Sequence, residues 1–340
     1  MNKKRIGKQT VALENPPGII CAYSSVGTKE GDGPLAKYFD NIYTDDMMGE
    51  NTWEKAESKL LGDTVEGVIK KSGLDTSDID YIFSGDLLNQ CVGSAFGIKD
   101  FQIPYFGLFG ACSTMGESIS LASMIIDGGY AEYCIAATES HFCSAERQFR
   151  FPIEYGGVRT PTSQWTVTGS GAVILSSSTQ NHPCITHITT GKIVDMGITD
   201  ANNMGAAMAP AAADTIYQHL SDTGRQPNYY DKIITGDLGS VGASILIDLL
   251  KEKNIDITNV YSDCGMMIFD DEKQNTKAGG SGCGCCGSVF CGYYYKKLTE
   301  RHFSKILFIP TGALMSPTTA QQGEPIMGIS HCIAMEIQEK

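Results

Sequence analysis

No stretch of this sequence runs apolar for the roughly 18 residues that a transmembrane helix requires, so no membrane span is expected. Basic side chains are in deficit: 26 Lys plus Arg stand against 39 Asp plus Glu, a formal net charge of -13. Non-specific nucleic-acid binding needs a basic surface and finds none here, and electrostatics alone would not dock the chain on an anionic membrane. Charged residues are only 19% against 42% hydrophobic, too few for disorder and compatible with a sizeable core. The basic start Met1–Arg5 runs into Gly7, Lys8, Gln9 and Thr10 rather than an apolar segment, so no secretory signal peptide is expected. There is no Gly-Lys-Ser/Thr and no G-x-G-x-x-G after a clear strand, which argues against a standard phosphate-binding loop. The acidic segment 262–280 lacks the order of an EF-hand and reads as an exposed hairpin.

Cysteine, by contrast, is plentiful, with 12 in the chain and five of them between Cys264 and Cys291. A chain of 340 residues needs no disulfide staples, so these thiols read as small core residues in a reducing compartment. Cys283, Cys285, Cys286 and Cys291 alternate with glycine in "AGGSGCGCCGSVFCG", with no second pair of the zinc or iron–sulfur type. Close helix packing is the expectation there, and neither a metal nor a cofactor.

The patterning alternates short strands with helices. Strands are expected at 19–24, 79–84, 105–109, 133–137 and 171–176, then at 185–189, 232–235, around Val260, at 306–309 and at 328–336. Helices are expected at 51–72, 87–96, 114–126, 206–220 with Pro210 near its first turn, 243–251 and 286–298. Each half thus reads β-α-β-α-β-α-β-β, and "DIDYIFSGDLL" and "YYDKIITGDLG" place Asp86 and Asp237 at matching strand ends about half a chain apart. An internally duplicated α/β fold follows, with halves 1–180 and 181–340, each a mainly parallel sheet covered by helices. The small-residue helices 114–126 and 286–298 are expected back to back in the middle.

Two constellations carry chemistry. Cys112 in "FGLFGACSTMGES" sits where a strand turns into a helix, and a helix N-terminus stabilises a thiolate suited to acyl transfer. Its base would have to be one of only six histidines, and His141, after the strand that leaves the Cys112 helix, is the one expected near a pocket. The segment "AERQFRFPIEYGGVRTPTSQWTVTGSGA" carries Arg147, Arg150 and Arg159 among Phe149, Phe151, Tyr155 and Trp165, a mixture suited to a planar dianion. Glu146 and Glu154 compete for the same guanidinium forks.

Taken with "SGDLLNQ", "DMGITDANNMGAAMAPAAADTIYQHL", "TGDLGSVG", "AGGSGCGC" and "TGALMSP", these motifs make the chain resemble, over nearly its whole length, the thiolase-like superfamily and, within it, the stage V sporulation protein AD family of endospore-forming bacteria. The resemblance implies an α/β fold of two mixed sheets packed around central helices in an α-β-α-β-α layering, and a soluble component that binds dipicolinic acid (pyridine-2,6-dicarboxylate), taken alone or as its calcium chelate. Such a protein acts in dipicolinate uptake into the developing spore and its release at germination. It also implies a homodimer, membrane-protein partners of the same sporulation group, and a peripheral place at the spore inner membrane held through them. Cys112 falls where the superfamily's enzymes carry their acylated cysteine, yet "TGDLG" puts Asp237 where ketoacyl synthases have a catalytic His, and "GGSGCGCC" replaces a later Asn or His. The expectation is a non-catalytic binding protein, with Cys112, His141, Arg147, Arg150 and Arg159 at the ligand site. The alternative is an acyltransferase or condensing enzyme that uses Cys112 on a coenzyme A or acyl-carrier thioester.

Overall fold

The computed structural model describes residues 4–150, 159–178 and 180–337. Phe151, Glu154 and Tyr155 of the arginine-rich segment lie outside them. Ten strands carry the fold. The first half supplies β1 (Gly18–Val26), β2 (Tyr81–Gly85), β3 (Tyr105–Gly107), β4 (Tyr133–Ser140) and β5 (Gly169–Ser176). The second supplies β6 (Pro183–Thr189), β7 (Lys232–Thr235), β8 (Tyr261–Asp263), β9 (Lys305–Ile309) and β10 (Cys332–Ile337). Their spatial orders, β3-β2-β4-β5-β1 and β8-β7-β9-β10-β6, are the same order written twice. Directions repeat as well: β2 is parallel to β3 and β4 while β5 is antiparallel to β4 and β1, and β7, β8, β9, β10 and β6 follow the same scheme. A single residue pair, Gly18 with Cys184, joins the two mixed sheets edge to edge.

Alternation along the strands assigns the layers. On the inner faces Phe83, Cys134, Ala136, Val173 and Leu175 of the first sheet share one core with Ile234, Ile306, Phe308, Ile333 and Met335 of the second. Their sequence neighbours Ile82, Ile135, Ala137, Ala172 and Ile174 face outward onto helix α1 (Trp53–Ser72). Ile233, Leu307, Ile309 and Ala334 face outward onto α4 (Met204–Thr223) and α5 (Gly239–Lys251), while α2 (Thr114–Asp127) and α3 (Phe142–Phe149) belong to the first half. The period of 2 in each strand therefore sends every second side chain to a different helical layer.

Between the sheets lie α2 and α6 (Cys283–Val289), the latter continuing through a π turn, Phe290–Tyr294, into Tyr295–Thr299. Met115, Ile119, Cys285, Cys286, Val289 and Phe290 of this central pair fall in the same core cluster. Glycine sets the approach: a Cβ on Gly284 would stand 2.1 Å from the Gly169 carbonyl oxygen, and one on Gly171 2.2 Å from that of Gly287. The glycines of the "GCGCCG" run thus let α6 lie on the backbone of β5. The cysteines between them are buried thiols, with Cys283 Sγ donating to the Glu139 carbonyl at 2.8 Å. Among the described residues no group of three or more His, Cys, Asp or Glu is arranged to hold a metal.

Local signals account for the helix ends. Thr52 accepts from Lys55 N–H to start α1, and Gly73 at φ 78° closes it. Asn203 and Gly224 do the same for α4. Four expectations need correction. Pro210 lies inside α4 rather than at its first turn. Val260 precedes β8 and does not lie in it. Segment 262–280 is not a hairpin: it forms short helices, Cys264–Ile268 and Asp271–Gln274, because Asp263 and Asp270 cap them through the backbone N–H groups of Met266 and Lys273. The expected last strand is two, Met327–Ser330 and β10, which break at His331 so that the first pairs with Thr311–Leu314 in a separate hairpin.

Candidate functional site

The strand-to-helix turn that carries Cys112 is tight. Ala111 sits at φ 49°, a left-handed conformation uncommon for a residue with a Cβ, and the turn Ala111–Ser113 leads straight into α2. Gly312 makes room for it, since a Cβ there would stand 2.2 Å from the Gly110 carbonyl. Cys112 therefore lies at the N-terminal end of the central helix, as its sequence context predicts.

Its electrostatics run opposite to the thiolate expectation. Burial, followed by the charge of Asp237 and a hydrogen bond to that carboxylate, pushes the Cys112 thiol well above its ordinary range, with only the Gly282 backbone N–H acting the other way. The helix end is outweighed because the thiol is buried and Asp237 beside it is negative. Asp237 itself, wholly buried, is pushed up to about 7, chiefly by desolvation. It accepts from Gly282 N–H at 2.8 Å, Thr311 Oγ1 at 3.0 Å and Ser281 Oγ at 3.2 Å. Its counterpart in the first half, Asp86, accepts from the backbone N–H groups of Leu88 and Ser94, each at 2.7 Å.

Cys112 forms part of the wall of a cavity of about 130 Å³. Leu87, Phe109, Phe149, Met208 and Met315 make it apolar, while Glu146, Arg150, Ser163, Gln164 and Asn202 give it a polar side. Of the residues expected at the site, the structure brings Cys112 and Arg150 together in this wall. Arg159 stands just behind: its guanidinium lies 4.5 Å from the Trp165 ring centre, donates from Nη1 to the Gln164 carbonyl at 2.7 Å, and pairs from Nη2 with Glu146 at 2.9 Å. Arg150 shares that carboxylate more loosely, with Nε 3.3 Å from the other oxygen. Arg147 turns away, pairing with Glu54 over the Trp53 ring.

His141 does not line the cavity. Fully buried at the N-cap of α3, it accepts at Nδ1 from Cys143 N–H at 3.2 Å and donates from Nε2 to the Asp46 carbonyl at 2.8 Å. Both ring nitrogens serve the backbone, and burial lowers its pKa, so it is held neutral as a helix cap. Among the described residues no histidine lines the cavity.

Gln164 and Asn202 were not singled out by the sequence. Gln164 Nε2 donates to the carbonyls of Asp237 at 2.6 Å and Gly280 at 2.8 Å, which fixes its amide. Its Oε1 is then a buried acceptor with no partner among the described residues. Its neighbours Thr160, Thr162, Ser163 and Thr166 are polar as well, so no signal in the sequence singles out Gln164.

A family model described as stage V sporulation protein AD matches residues 7–336. The stage V sporulation protein AD of Bacillus subtilis (strain 168) is 45% identical over 333 residues, covering 98% of both chains. Among solved structures, 3-oxoacyl-[acyl-carrier-protein] synthase III from Aquifex aeolicus VF5 superposes with a TM-score of 0.58 at 13% identity, covering 94% of this chain and 99% of its own. A tetronic acid condensing enzyme follows, at a TM-score of 0.57 and 14% identity, covering 94% of this chain and 99% of its own. The architecture is that of the thiolase-like condensing enzymes, and the chain belongs to the stage V sporulation protein AD family.

Proposed function

We propose that this protein is a non-catalytic binding protein for dipicolinate that acts in its uptake into the developing spore and its release at germination. The observation that carries the reading is the Cys112 cavity itself. It has apolar walls for a flat ring, a guanidinium in the wall with a second behind it, and a thiol held protonated where an enzyme would need a nucleophile. A dianion approaching a chain of net charge -13 needs such local cations, and arginine offers a planar fork matched to a carboxylate. The ligand enters free or as its calcium chelate.

Calorimetric titration with dipicolinate beside benzoate, a one-carboxylate control, tests this. Dipicolinate should bind more tightly, and Arg150→Gln should weaken it about tenfold or more, the worth of one charge-assisted bond. Equal binding of the two acids, or unchanged binding in the variant, would move the site elsewhere.

A second reading, acyl transfer from a coenzyme A or carrier thioester, is favoured by one feature, the Cys112 turn at the head of the central helix. Intact-mass measurement after incubation with acyl-coenzyme A separates the two. In the reading we favour, the protein works beside membrane proteins of the same sporulation group, peripheral to the spore inner membrane. No described helix is long and apolar enough to cross a membrane. The partner copy of a homodimer would lie on edge strand β3, where Phe106 is 48% exposed. Light scattering of the wild type and Phe106→Glu tests that arrangement.

A further inference from the structure

We infer that Glu146 is an internal carboxylate that competes with the bound acid for Arg150, holding affinity down so that the ligand can be given up. The inference rests on the dipicolinate reading above and deepens it.

Glu146 lines the cavity, and its two oxygens are divided between two arginines. The two hold it very differently. Arg159 is fixed: its side chain is 15% exposed, its Nη1 is committed to the Gln164 carbonyl, and the rings of Trp165 and Phe142 lie 4.5 and 5.4 Å from its guanidinium carbon. The Arg150 contact to Glu146 runs from Nε, at 3.3 Å, and its side chain is 35% exposed. Neither Nη of Arg150 makes a hydrogen bond to a described residue. A guanidinium that meets a carboxylate through one long contact has its fork unused.

The charges then decide what Glu146 does. Two guanidinium groups and one carboxylate leave a local charge of about +1, enough for one acid group. A second acid group on the ligand meets Glu146 as a like charge, and competes with it for the Arg150 charge. Removing the Glu146 charge should therefore favour a diacid more than a monoacid, and should do so through Arg150. A residue that only props the segment would show neither signature.

The test is a double-mutant cycle on the full chain, read by calorimetry in calcium-free buffer with dipicolinate and with benzoate. Glu146→Gln, nearly isosteric, should tighten dipicolinate binding about tenfold, with a smaller gain for benzoate. In the Arg150→Gln background that gain should vanish. A thermal melt reports folding, and Glu146→Asp, which withdraws the carboxylate by one methylene, should give a smaller gain in the same direction should the Gln variant not fold. Binding that is unchanged or weaker in Glu146→Gln, or a gain that persists without Arg150, overturns the inference while leaving the dipicolinate reading intact. A Glu146→Gln loss seen only when calcium is added overturns it too, by placing Glu146 on the ligand's cation. A wild-type protein that takes up no dipicolinate overturns the underlying reading, and this inference with it.

Discussion

Cys112 and Asp237, from opposite halves of the chain, meet at the N-terminal end of the central helix with the thiol hydrogen-bonded to the carboxylate. The carboxylate holds the proton on sulfur, while burial pushes Asp237 up to about 7 against the opposing effect of its hydrogen bond from Cys112. A nucleophilic cysteine needs the reverse, a cationic or polar setting that lowers its pKa. The relationship makes the chemistry of Cys112 checkable.

Cys112 should be slow to react. At pH 7.5 incubation with acyl-coenzyme A should give no adduct by intact mass, and iodoacetamide should label the half-buried Cys143 before Cys112. A stable acyl group lost in Cys112→Ala would establish the enzyme reading instead.

Buried carboxyls set a pH dependence. Glu30 is fully buried, accepts from Thr168 N–H at 3.0 Å, and is pushed up to about 8 by desolvation. Its pKa is raised above the unfolded value, so the native state holds a proton that the unfolded chain releases above about pH 4.5. The contribution is complete below that pH and is lost as pH rises toward 8, at up to about 1.4 kcal/mol per pH unit for one proton. Melting temperature should fall between pH 5 and 8, and Glu30→Gln, which cannot ionise, should flatten that fall. Equal slopes in both proteins would mean that Glu30 is ionised in the fold.

Gly284→Ala tests the central packing through its sign. Within a helix, Gly to Ala ordinarily stabilises by about 1 kcal/mol. Here the new methyl would meet the Gly169 carbonyl oxygen at 2.1 Å, so backbone must shift, at a cost of about 1–3 kcal/mol or more. Denaturant unfolding should show a net loss; a gain would mean that α6 does not lie on β5 as closely as described.

Asp222 latches the N-terminal strand. Its carboxylate accepts from the backbone N–H groups of Lys8, Gln9 and Thr10 and from Thr10 Oγ1. Asp222→Ala should raise hydrogen exchange at residues 8–12 well before it affects the core strands, because the strand Thr10–Ala12 is otherwise held by an edge pairing with β6 and a bridge from Val11 to Arg5.

The duplicated strand-and-helix order, the matching of Asp86 with Asp237 and the place of Cys112 at a helix start were legible in the sequence, because period-2 and period-3.6 patterning and glycine turns are local signals. So was the Gly- and Cys-rich run as packing material, since small side chains have one obvious use between helices. What the tertiary structure alone decided was which of these residues share a space, and in what charge state. His141 looked like a pocket residue by its position after β4, but its ring caps α3, a role that depends on where the Asp46 carbonyl arrives. Arg147, Arg150 and Arg159 are equivalent in composition; a helix face sends Arg147 to Glu54 while Glu146 gathers the other two. Cys112 carries the sequence of a nucleophile. Burial in the fold, and then Asp237 arriving from the other half, keep it a thiol, because a pKa depends on dielectric and on nearby charge, and neither is a property of the neighbours in sequence.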